Sequence, residues 1–217
     1  GRPVVAAQVT RRVALAVACG VFACAVTAQA LRQPAATLGV APPRLSQTGL
    51  YLHDGETIDP RNRPFSPQYP LWTDGAEKQR WVQLPPGAAI DVRDVNRWDF
   101  PVGTRFWKQF SFAGRKVETR FLWKQTPTDW VFASYVWNDA QTDATLVPES
   151  GARNVTEIAP GRSHSIPSIT ECRSCHDSAR TEILGFNALQ LSNDRDPNAL
   201  HADAPRPDYL TLTSLLA

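Results

Sequence analysis

Cys172-Arg173-Ser174-Cys175-His176, close to the C-terminal end, constrains this chain more than any other stretch. Two thiols three positions apart can both add to the vinyl groups of one porphyrin. The histidine directly after the second thiol then lies under the iron as its proximal ligand. The expectation is one covalent haem c, with Cys172 and Cys175 forming thioethers and His176 binding iron. Apolar side chains must then be supplied to line the macrocycle.

Three other uses of a Cys-x-x-Cys pair compete with this one. A tetrahedral zinc site needs a second ligand pair. No cysteine follows Cys175, and His53, His164 and His201 form no paired spacing. A thioredoxin-like redox pair wants a βαβ setting with its first cysteine opening a helix. Ile169-Thr170-Glu171 does not read as the buried strand that would precede it. A plain disulfide leaves His176 without a role.

The N-terminus points to export. Arg11-Arg12 precede an apolar run, Val13 to Val26, suited to a signal-peptide core and too short for a stable membrane anchor. Ala28-Gln29-Ala30 fits small-x-small cleavage, so residues 1–30 read as a signal peptide and the mature chain starts at Leu31. The destination is the periplasm or the exterior. Lipoprotein processing at Cys19 or Cys24 is the alternative, although neither follows a Leu-Ala-Gly-like box. Cleavage removes two of four cysteines and leaves Cys172 and Cys175. Without Arg2, Arg11 and Arg12 the chain has 20 basic and 21 acidic residues, a net of −1. No basic stripe suggests nucleic acid, and no integral membrane span is expected after signal removal. The partner implied is an unidentified redox protein. The sequence contains no methionine, so a Met thioether from this chain cannot be the sixth iron ligand.

Residues 31–48, rich in Pro, Ala, Gln and Arg, read as a tether. Residues 49–150 read as a β-module. From Lys116 to Thr126, Val117, Thr119, Phe121 and Trp123 alternate with Glu118, Arg120 and Lys124. Trp130 to Trp137 is a second strand, Trp81 to Leu84 another stopped by Pro85-Pro86-Gly87, and Gly103 marks a turn or bulge. Short strands with Pro and Gly punctuation predict a mainly β, antiparallel, sandwich-like module. Residues 151–168 read as a Gly/Pro/Ser-rich linker. Residues 169–217 read as a small helical haem segment, with Ile183, Leu184, Phe186, Leu189 and Leu191 as pocket lining and a terminal helix from Tyr209.

All seven tryptophans, Trp72, Trp81, Trp98, Trp107, Trp123, Trp130 and Trp137, fall in the β-module. Rings of this kind stack on sugars, but filling a core is their commoner fate. Asp74, Glu118, Asp139 and Asp143 show no spacing that marks a catalytic acid and base.

Several motifs together carry a resemblance. Pro70-Leu71-Trp72-Thr73-Asp74-Gly75-Ala76, Val117-Glu118-Thr119-Arg120, Tyr135-Val136-Trp137-Asn138-Asp139 and the Cys-x-x-Cys-His run are similar to a family of exported bacterial proteins. So are Phe100-Pro101-Val102-Gly103-Thr104, Ile166-Pro167-Ser168 and Leu184-Gly185-Phe186. That family is haem-binding, cytochrome c-like and of poorly assigned function. The resemblance spans about residues 45–200 and implies haem and an extracytoplasmic redox role, but no substrate. Members often continue into a second Cys-x-x-Cys-His segment, which implies that this sequence is a C-terminally short member or a fragment.

The functional expectation is electron transfer through one haem. The alternatives are a peroxidase- or oxidase-like haem enzyme with an open sixth site, and a polysaccharide-binding β-module with a redox appendage. The candidate sixth ligands are His201 or His164, with His53 or a lysine behind them. Signal cleavage is checked by intact mass: the exported protein should begin at Leu31 and carry one haem, with no lipid on Cys19 or Cys24.

Overall fold

A strand that alternates apolar and polar residues puts the two sets on opposite faces of a sheet. Here that alternation builds a six-stranded antiparallel meander covered on both faces. The computed structural model describes residues 39–52, 56–95, 97–179 and 181–216. The signal segment, Cys19, Cys24 and His53 lie outside them. The sheet runs in sequence order through β1 (Arg63–Pro64), β2 (Glu77–Gln83), β3 (Arg105–Phe112), β4 (Arg115–Lys124), β5 (Trp130–Trp137) and β6 (Ala144–Leu146). The mainly β, antiparallel expectation holds.

Register sorts the side chains into two cores. Trp81, Trp107, Phe121 and Ala133 stand opposite one another in a buried row on one face. Each fully buried ring there contributes roughly 2–3 kcal/mol. Val82, Phe106, Leu122 and Phe132 make the corresponding row on the other face. Ala41, Leu45, Leu50 and Tyr51 cover the first row. Ile183, Phe186, Leu191 and Leu210 cover the second, together with Phe65, Trp98 and Phe100. The covering layers are therefore irregular chain rather than a second large sheet. Five tryptophans, Trp81, Trp98, Trp107, Trp130 and Trp137, are buried, and Trp123 is half-buried. Trp72 is 60% exposed.

Three segments differ from their sequence reading. The end of the expected tether is part of the core: Leu45 is buried, and Arg44 bridges Thr145. Pro42 and Pro43 lack N–H groups but still accept, from the Tyr135 hydroxyl and the Leu146 amide. The expected linker is a β-hairpin, β7 (Ala152–Ala159) and β8 (Arg162–Ile166), turning at Pro160-Gly161. Its Gly, Pro and Ser content hid a β-branched run that the turn signal could have revealed. The apolar stretch 183–191 forms turns instead of helix. Gly185 takes φ +81° against Pro67, and the Gln190 and Leu191 carbonyls accept from Gln68 and Leu212, so distant backbone replaces helical bonding. Helix is confined to a 3-10 turn at Leu45–Gln47, α1 (Ile169–His176) and α2 (Leu212–Leu216) among the described residues.

Gly151 joins the meander to the hairpin at φ +78°. A Cβ there would lie 2.5 Å from the Ile166 carbonyl oxygen and 2.8 Å from Pro167 and Ser168 backbone atoms. Gly151→Ala should cost about 2 kcal/mol or more, read as a lower urea midpoint, because backbone rather than a flexible side chain must move.

Candidate functional site

The whole Cys-x-x-Cys-His run lies on α1. Positions three and four apart share a helix face, so Cys172, Cys175 and His176 project from one side. An eight-residue helix is marginal by itself, and this one buries none of its residues. Polar anchors hold it instead. The Ser168 hydroxyl accepts from the Glu171 amide at 3.2 Å, and the Glu171 carboxylate accepts from the Ser168 amide at 2.7 Å. The Ser-x-x-Glu spacing is the signal that could have revealed this capping box. The Ile169 amide donates to the Glu149 carbonyl at 2.8 Å. Arg173 donates to the Trp130 carbonyl at 3.2 Å, and its guanidinium lies 4.9 Å from the Phe132 ring centroid.

Both thiols are free, Cys172 half-buried and Cys175 exposed. Burial pushes the Cys172 thiol up. The His176 ring packs edge-on against Phe132 at 5.1 Å. Its Nδ1–H donates to the Glu182 carbonyl, which leaves Nε2 with an uncommitted lone pair. Burial outweighs that hydrogen bond and holds the imidazole below its usual pKa, favouring the neutral form a metal requires. Iron-binding histidines are oriented in this way, by the hydrogen bond their other nitrogen makes. No sequence signal marked Glu182, because any residue can offer its carbonyl.

These residues fit a c-type haem: two free thiols and an oriented neutral imidazole share one helix face, and no part of α1 is in a core. A zinc reading gains no further ligands, since no three His, Cys, Asp or Glu side chains converge among the described residues.

The two candidate sixth ligands have different surroundings. His164, on β8, is buried with its Nε2 2.8 Å from a Glu118 carboxylate oxygen and its ring against Phe112. His201 is exposed, its ring 4.7 Å from that of Trp72. Neither has a contact with Cys172, Cys175 or His176 among the described residues. The four flagged carboxylates do not gather into a pair. Asp143 receives the Ser46 amide and hydroxyl, Asp139 meets Arg115, Asp74 is exposed, and Glu118 is fully buried.

Glu118 stands on the polar side of the β4 alternation, yet it is a buried node. It accepts from Arg120 Nε at 2.6 Å as well as pairing with His164. Burial alone would raise its carboxyl, but those two partners hold it below the usual glutamate range. The pair fastens β8, and the helix that follows it, to β4. No protein-family model, curated protein or solved structure matches the chain. No helix among the described residues is long and apolar enough to cross a membrane.

A depressed folded-state pKa stabilises above the ordinary glutamate value of about 4.3 and is lost as pH falls through the lower folded value. Acid urea melts should therefore show the wild type losing stability below about pH 4. Glu118→Gln should be less stable by about 3 kcal/mol at neutral pH, with a flatter acid limb.

Proposed function

We propose that this chain is an exported c-type haem protein that transfers electrons through one covalently bound haem. We further propose that it belongs with the exported bacterial haem-binding proteins its motifs resemble. The observation that carries the reading is the His176 Nδ1–H bond to the Glu182 carbonyl, made on the same helix face as two free thiols. Cys172 and Cys175 would anchor the porphyrin and His176 Nε2 would bind the iron. The haem, when bound, supplies a one-electron Fe(III)/Fe(II) couple. The Glu182 carbonyl fixes the imidazole tautomer and strengthens its donation. Phe132 and Arg173 brace the helix against the sheet. Export to the periplasm or exterior is supported by the basic pair, short apolar core and Ala28-Gln29-Ala30.

Two observations favour the haem-enzyme reading as runner-up. The His164 Nε2 is committed to Glu118, and methionine is absent, so two routes to a sixth ligand are closed or occupied. The polysaccharide reading retains a single largely exposed indole, Trp72, as a stacking surface.

Protein matured with a working cytochrome c system should keep its haem through denaturation and acid–acetone extraction. Cys172→Ser with Cys175→Ser should abolish that retention, and a wild type holding only zinc or a disulfide would refute the reading. A low-spin spectrum turned high-spin by His201→Ala assigns the sixth ligand and favours electron transfer. A wild type already high-spin puts the haem enzyme first.

A further inference from the structure

The sheet face carrying α1 also carries a row of cations. Arg80 stands opposite Lys108, Lys108 opposite Arg120, and Arg120 opposite Ser134. Directly opposed residues on one face have Cβ atoms about 5 Å apart, and like charges so placed are destabilising. The next row on that face is Val82, Phe106, Leu122 and Phe132. Phe132 is the ring against which His176 packs, so the cations begin one repeat along the strands from the candidate haem site. On the far side, Lys78 follows in the row with Phe110 and Glu118.

Counter-charge is short. Arg80 is buried and reaches one carboxylate, Asp203 at 3.3 Å. Arg120 shares Glu118 with His164. Lys78 donates to the Leu71 carbonyl. Lys108, half-buried between two arginines, makes no ion pair among the described residues and feels the Glu118 carboxylate only at longer range, and its ammonium lies 4.9 Å from the Phe110 ring centroid. Burial first, then Arg80, Arg120 and Lys78, pull the Lys108 ammonium down to about 7. Four cations thus face two carboxylates, an arrangement that costs stability unless an anion completes it.

We infer that Arg80, Lys108 and Arg120, flanked by Lys78, form a seat for a pair of carboxylates, and that its occupant is the two propionates of the haem held by Cys172 and Cys175. The inference rests on the haem reading above. With Lys108 protonated, a dianion matches the surplus of two positive charges.

The full chain carrying Cys172→Ser and Cys175→Ser, titrated with haem and with haem dimethyl ester, reads propionate recognition separately from thioether formation. The free diacid should bind about tenfold tighter or more. Lys108→Met should remove most of that preference and Lys108→Arg should restore it. Equal affinities, binding of neither porphyrin, or a preference unchanged by Lys108→Met would overturn the seat. So would a Lys108→Met change of spin state in the haem-loaded protein, which would make Lys108 an axial ligand. Lys108-dependent stabilisation of the haem-loaded protein by succinate would assign the row to a diffusible carboxylate and overturn the propionate assignment. Absence of thioether-linked haem from the wild type would instead refute the attachment itself.

Discussion

A central strand covered on both faces must find partners for every polar side chain it carries, and β4 is such a strand. Its apolar positions alternate into two cores, so Glu118 is buried at 0% exposure with no water to solvate it. The cost of burying a lone carboxylate is several kcal/mol, and Arg120 and His164 offset it together. His164 comes from β8, so the same pair ties the hairpin to the sheet. The hairpin leads through Pro167-Ser168 directly into α1. The placement of the candidate haem helix therefore depends on a buried node that joins the strand immediately before it, β8, to β4.

This dependence explains how a helix with no core residue holds a defined position. Hydrophobic burial does not fix α1. A capping box, a bond from Ile169 to the Glu149 carbonyl, Arg173 on the Trp130 carbonyl and His176 on the Glu182 carbonyl do. Each is worth about 1 kcal/mol on its own, and their effect is geometric. They seat the helix against the half-buried Phe132 ring, with a row of cations next along the strands.

Much of the fold was legible in the residues. The β4 and β5 spans, the Gly103 turn and the Pro85-Pro86-Gly87 stop follow from period-two alternation and backbone punctuation, which act locally. The covered polar face of β4 was not legible, since alternation separates two faces without telling which one will be buried. The 183–191 stretch had helical apolar spacing, but its carbonyls found donors at Gln68 and Leu212. The 151–168 segment had the composition of a linker, but its backbone paired with itself across Gly161.

The sequence by itself determined the chemistry available at the site. Two thiols and an imidazole at fixed spacing stay together whatever the rest of the chain does, because the covalent backbone keeps them within one helical turn. Only the tertiary structure decided which nitrogen of His176 is free, since that rests on a carbonyl six residues away that no side-chain pattern encodes. Likewise Arg80, Lys108 and Arg120 lie on three different strands and become neighbours only through the register of the sheet. Register is set by which rows bury together, a property of the whole core rather than of any one segment.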